Sequence, residues 1–327
     1  MEIGVLKNKS LEILSGKQFY LIVLRIVIAA GLISFILYKV KPAEVFGAIV
    51  NADLYLILIA FALTSLNLFL QFKKWKLTSS YLLKETEARK IWRSLFFGIA
   101  AGSFTPARIG EYFGRALEYK EKPVLQVTIA TLVDKFFTFV VVAFIGSITS
   151  ILFLNYYYNV NSLITVTLFV VLILLFYFFI SILLHPRLWN NLIINYLRSR
   201  RRLSRFFKQL EIIKSMDKNY SSRMIGWTVV FYSCYITQFA LLTAAFTRHN
   251  NFFHFLWAGN LVMFAKSIIP PVSLAEIGIR EGASVFFLTK MGELASPAFD
   301  ASIFLFFINV LVPSLIGVVL LFKKNNA

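Results

Sequence analysis

Six stretches of this sequence, 19–38, 53–71, 124–150, 162–184, 224–246 and 299–322, are apolar almost without interruption. Each is near the ~20 residues with which an α-helix crosses the ~30 Å hydrocarbon core of a bilayer. In lipid the backbone must satisfy its own hydrogen bonds, so only helices and closed barrels span. A polytopic, all-α integral membrane protein follows, with about six full transmembrane helices. The first run is preceded by Lys7, Lys9 and Lys17 and followed by no small-residue cleavage site. It reads as a retained span rather than a removed signal.

The charge distribution sets the expected orientation. Net charge is +18, with only 15% of residues charged. In a soluble chain such a balance points to nucleic acid, but here the basic residues gather between spans, where the positive-inside rule accounts for them and no nucleic-acid partner is implied. Segment 185–223 holds Arg187, Arg198, Arg200, Arg201, Arg202, Arg205, Lys208, Lys214, Lys218 and Arg223 against Glu211 and Asp217. It is expected to be cytoplasmic, either as an amphipathic helix on anionic inner-leaflet lipid, with Leu188, Leu192, Ile193, Tyr196 and Leu197 on one face, or as a basic topology-setting loop. Segment 72–93 is also basic, whereas 151–161, "ILFLNYYYNVN", has no charge and fits an outer aromatic belt.

Parity then constrains two awkward segments. Only Leu95–Phe104 is continuously apolar within 91–104, about half a bilayer. Were it to cross, the most basic loop would lie outside. A re-entrant hairpin over 91–118 keeps every basic loop inside, and a second over 252–296 does the same for the C-terminal part. Both termini are then cytoplasmic, as expected for a bacterial-type inner membrane. Residues 53–150 and 224–322 become two half-repeats of reversed orientation within one membrane domain, 1–327, joined through the linker 185–223. Interrupted segments at matching positions of inverted repeats mark binding sites in transporters.

Charged residues concentrate in those interruptions. "GSFTPARIGEYFGR" (102–115) places Arg108, Glu111 and Arg115 on one helical face, with Gly110 allowing close backbone approach, if a helix starts at Pro106. Such an N-terminus flanked by arginines suits an anion such as phosphate. "KSIIPPVSLAEIGIRE" (266–281) carries Glu276, Gly278, Arg280 and Glu281, with Glu276 and Arg280 spaced to pair. Asp134 and Lys135 lie within a span and point about 100° apart, so each needs a separate partner. Charges at such depth cost ~2.5–3.5 kcal/mol each on insertion scales. They would line a hydrated interior that grips a headgroup, or act as structural ion pairs locking the hairpins. Catalytic signatures are missing: no HExxH, nucleophile elbow, Walker A or dinucleotide fingerprint occurs. The single cysteine, Cys234, supports neither a disulfide nor a Cys-rich metal site, and no enzyme activity, cofactor or metal is expected.

"WKLTSSYL" (75–82), "GSFTPARIGEYFGRAL" (102–117), "TLVDKFF" (131–137), "IIPPVSLAEIGIREGA" (268–283) and "LFFINVLVPSLIGVVLL" (305–321), in this order, resemble the lysylphosphatidylglycerol synthase transmembrane, or flippase-like, family. The resemblance implies a lipid-translocating domain whose first motif matches Arg108, Gly110, Glu111 and Arg115 and whose second matches Gly278, Arg280 and Glu281. The approach to the second motif departs from the family's glycine-rich form, with Ala275 and Glu276 near the expected glycine. The aminoacyltransferase domain of bifunctional members has no counterpart in these residues. The expectation is therefore a transporter moving a phospholipid or other anionic or zwitterionic polar-headed lipid between leaflets, with Asp134 as counter-ion. The alternative is a membrane scaffold, as a homo-oligomer or beside a lipid- or glycan-modifying partner enzyme.

Overall fold

The computed structural model describes residues 47, 49–103, 105, 107–184, 211–269 and 278–325. All regular structure among them is helical. The expected span 19–38, the amphipathic face around 188–197, Pro106, the Pro270–Pro271 pair and Glu276 lie outside the described residues.

Five helical stretches are long and apolar enough to cross a membrane: Leu54–Leu83, Val124–Tyr158, Ser162–Ser181, Lys218–Thr247 and Ala295–Lys323. They coincide with five of the six apolar runs, and all but Ser162–Ser181 extend further. Helix α1 (Leu54–Thr78) is capped by the Asp53 carboxylate, which accepts from the Tyr55 and Leu56 amides, and runs on through a π turn, Ser79–Leu83. Lys73, Lys74 and Lys76 are therefore helical, not part of a loop at 72–93. The short helices α2 (Ala88–Ser103) and α3 (Gly110–Gly114) follow, the latter continued by a 3₁₀ turn, Arg115–Glu118. Helix α4 (Val124–Tyr158) absorbs most of the expected outer connection and ends at Asn159, whose φ of 49° closes the helix. Tyr156 and Tyr157 pack around Trp257, which explains why the aromatic segment stays helical. Helix α5 (Ser162–Leu184) packs on α4 and otherwise leaves Leu163, Val166, Ile173, Leu174 and Phe178 exposed, as a lipid-facing helix must.

The C-terminal half follows. Helix α6 (Lys218–Thr247) is capped by Asp217; α7 (Phe252–Ile268) and α8 (Ile279–Lys290) pack together; α9 (Ala295–Phe306), a π turn (Phe307–Leu311) and α10 (Val312–Asn325) form the last long element. Helices α1 and α6 are antiparallel neighbours. The Asp53 amide donates to the Ala245 carbonyl at one end (2.9 Å), and the Thr78 and Tyr220 hydroxyls meet at the other (3.1 Å).

Two hairpins open toward opposite ends of this pair. Arg93 and Glu118 close the first at 3.6 Å, beside Tyr119, whose hydroxyl reaches Ser79. His249 Nδ1 and Glu293 Oε2, 3.2 Å apart, close the second near the Asp53–Ala245 end. Each hairpin rests on the long element of the other half. Helix α10 brings Gly317 against the Phe96 carbonyl of α2, and α4 brings Gly146 against the Phe264 ring of α7. Both glycines lie the same number of residues beyond the start of their long element, Val124 or Ala295. Small residues at such crossings let membrane helices approach closely.

The first hairpin is held by similarly close contact. A Cβ on Gly110 would collide with the Ala101 carbonyl and lie 2.7 Å from the Thr105 hydroxyl, and one on Gly114 would lie 2.6 Å from the Phe97 carbonyl. Because backbone cannot yield as a side chain can, Gly110→Ala is expected to destabilise the protein by about 1–3 kcal/mol. Thermal unfolding in detergent measures it.

Candidate functional site

The sequence places a helix start at Pro106, but α3 begins only at Gly110. The reason is local: Ala107 and Arg108 both adopt left-handed backbone, with φ of 55° and 52°. Two non-glycine residues in that region cost on the order of 1–2 kcal/mol each, and strain of this kind clusters where surrounding structure holds a functional geometry. Helix α3 is too short to present a dipolar anion site. Cationic side chains supply the positive field instead.

Those side chains converge on two carboxylates. Glu111 Oε1 receives Arg115 Nη2 at 2.8 Å and Lys135 Nζ at 2.7 Å, while Oε2 faces Arg108 Nη2 at 3.2 Å. Asp134 Oδ2 accepts from Arg115 Nη1 at 3.0 Å, and its Oδ1 lies 3.4 Å from Lys74 Nζ. Lys74 also donates to Thr138 Oγ1 at 2.5 Å. Arg115 is thus the hub. Its guanidinium bridges both carboxylates and stacks 4.3 Å over the Trp75 ring. Ser94 holds it from behind, accepting from Trp75 Nε1 and donating to the Arg115 carbonyl. The separate partners required by Asp134 and Lys135 are Arg115 with Lys74, and Glu111.

The cluster forms one wall of a cavity of about 350 Å³. The other walls come from Gln71 of α1, Phe139 and Val142 of α4, Phe231, Tyr232 and Tyr235 of α6, Met263, Lys266 and Ser267 of α7, and Asn309 of the π turn. Side-chain exposure runs from 2% at Arg115 and 5% at Lys74 to 19% at Arg108 and 36% at Lys135. The first two lie in the floor and the last two at the rim.

The second motif is arranged differently. Arg280 pairs with the adjacent Glu281 at 2.5 Å rather than reaching across the interior, and its Nε donates to Ser302 at 3.1 Å. Glu281 also accepts from the Gly278 amide at 2.6 Å, closing the first turn of α8 at a glycine whose φ of 101° only glycine adopts easily. Both side chains are almost fully buried and neither lines the cavity. Of the residues singled out in the sequence, Arg108, Glu111, Arg115, Asp134 and Lys135 line the cavity together. Gly110 serves packing, Gly278, Arg280 and Glu281 form a separate sealed group, and Glu276 lies outside the described residues.

Sequence reasoning missed Lys74, Gln238 and Asn309. Thr64, Asn67, Gln71 and Lys74 follow one another at helical spacing along α1, a polar stripe inside an apolar run. That stripe was the available signal. Gln71 donates to Asn67, while Gln238 donates to the Ala60 carbonyl and to Thr64 and accepts from Asn309 and, at the 3.5 Å limit, Asn67. An uncharged amide ladder thereby leads away from the charged wall between α1, α6 and the π turn.

A bundle of membrane-length helices with a charged cavity at its centre defines a polytopic membrane protein with a polar interior site. The chain matches the family model described as the lysylphosphatidylglycerol synthase TM region over residues 22–317, and it belongs to that family. This membership links it to lipid handling. No curated protein matches it.

Proposed function

We propose that this protein is a flippase-like transporter that moves a polar-headed phospholipid between leaflets, the headgroup passing through the charged cavity. One observation carries the reading: buried, mutually paired charges at helix positions within the membrane border an open space instead of packing shut. Retaining that many charges is costly in lipid, and a headgroup that exchanges with them gives the cost a use. The cavity's volume lies at the low end of the ~300–1,000 Å³ typical of ligand sites. It suits a headgroup whose acyl chains remain in the surrounding bilayer.

In this reading the two hairpins are re-entrant, entering from opposite leaflets, and residues 53–150 and 224–322 are inverted repeats. Support comes from the side-chain contacts that close the hairpin mouths at opposite ends of α1 and α6, and from the reciprocal packing of α2 on α10 and α7 on α4. Helices α2 and α7, of 16 and 17 residues, rise only about 24–26 Å, short of a full hydrocarbon core. Both termini and the basic linker are then cytoplasmic.

Lipid movement is tested by following a labelled phospholipid between leaflets of proteoliposomes containing the full chain. Unchanged leaflet distribution with folded, correctly inserted protein would overturn the transport reading. Topology is tested with single exposed cysteines at Glu87, Glu121 and Asn250 after Cys234 is replaced. A membrane-impermeant thiol reagent should reach the first two from one side and the third from the other. Labelling of 87 and 121 from opposite sides would make the first hairpin a full crossing.

A further inference from the structure

Among the described residues, cations outnumber carboxylates in the cavity wall. Four cations, Lys74, Arg108, Arg115 and Lys135, surround two carboxylates, Glu111 and Asp134, and Lys266 adds another cation across the space. The carboxylates already face protein cations, although Asp134 Oδ1 itself makes no hydrogen bond. Both oxygens of Glu111 already face cations, and Asp134 is engaged by Arg115 on one oxygen and approached by Lys74 on the other. The ammonium group of a cationic headgroup would have to compete with these protein cations for the two carboxylates. Donor capacity is abundant, because each Lys carries three N–H bonds and each Arg five.

We propose that the cavity selects a phosphate bearing two negative charges, a phosphomonoester or diphosphate headgroup, over a singly charged phosphodiester or a cationic aminoacylated lipid. This inference rests on the transport reading and deepens it by naming the substrate class. The described wall carries more positive than negative charge, which favours a dianion over a monoanion or a cation. Arg108 and Lys135 at the rim make first contact, and Lys74 and Arg115 form the floor. Arginine offers forked donors that fit phosphate oxygens, and lysine adds a compact charge. Hydroxyls and amides of Tyr232, Tyr235, Ser267 and Asn309 line the facing wall, where they suit whatever uncharged group the phosphate bears.

The test titrates the full chain in phosphatidylcholine nanodiscs with dioctanoyl phosphatidic acid, dioctanoyl phosphatidylglycerol, dioctanoyl lysyl-phosphatidylglycerol, glycerol 3-phosphate and inorganic phosphate. At pH 8 phosphatidic acid should bind about tenfold or more tightly than phosphatidylglycerol, and lysyl-phosphatidylglycerol more weakly still. The second phosphate proton binds near pH 6, so at pH 5 the advantage of phosphatidic acid should largely disappear, without any variant. Lys135→Gln, at the exposed rim, should narrow the gap at pH 8 while the protein still unfolds at its normal temperature. Equal binding of phosphatidic acid and phosphatidylglycerol at pH 8, with both moved between leaflets, would overturn the dianion preference and leave transport intact. Glycerol 3-phosphate or inorganic phosphate binding as tightly as phosphatidic acid would retain the dianion and overturn lipid as its carrier. Failure to bind or move any of these probes would overturn both proposals.

Discussion

Arg115→Ala is expected to destabilise the protein by about 3–5 kcal/mol, the cost of breaking a buried ion pair by removing one partner. The magnitude follows from the position of this side chain. It is 2% exposed, bridges Glu111 and Asp134, and stacks on Trp75. Its loss strips two carboxylates of their shared partner and leaves a void beneath the indole. Loss of folded protein in detergent, read by thermal unfolding or by size-exclusion chromatography, measures the effect. Combining Arg115→Met with Asp134→Asn should cost less than the sum of the two single changes, because the double variant removes a charge of each sign. Additive costs would mean that the two groups do not stabilise each other.

Arg108→Ala should have the opposite profile, a protein that folds but transports poorly. This guanidinium stands at the cavity rim, with its Nη2 3.2 Å from Glu111, while Arg115 and Lys135 continue to neutralise that carboxylate. Removing it is expected to slow lipid movement in proteoliposomes roughly ten- to a hundredfold, the equivalent of one charge-assisted hydrogen bond to a headgroup, with little change in unfolding temperature. Full transport by the folded variant would remove Arg108 from the mechanism. The contrast between the two arginines, seven residues apart, separates charges that hold the site together from those that use it.

Much of this organisation was legible because a bilayer restricts the alternatives so severely. Runs of ~20 apolar residues leave the backbone no option but helix, and five of the expected spans coincide with observed helices. The pairing demands of Asp134 and Lys135 could be read from their angular separation alone. Helix ends were harder to read. Lys74 looked like part of a basic loop because hydropathy falls where a helix turns inward to polar partners as much as where it leaves the membrane. Its burial depends on Asp134, sixty residues away, which no local pattern encodes. The start of α3 was misplaced because proline favours a helix's first turn, whereas tertiary contacts force Ala107 and Arg108 into left-handed backbone. The pairing of Arg280 with Glu281 was equally invisible, since adjacent residues on an ideal helix diverge and only the packing of Ser302 and Phe306 around the guanidinium draws them together.

The reciprocal seating of each hairpin on the far half's long helix has a consequence for how such a chain is made. Neither portion completes the packing of its hairpin until the other has been synthesised and inserted, so part of the surface of α2 must wait for α10. The charged cluster itself draws only on residues 74–135, whereas the cavity it borders is completed only when α6, α7 and the last π turn join it. The same interlock gives each hairpin a direct mechanical contact with the opposite half through its supporting helix.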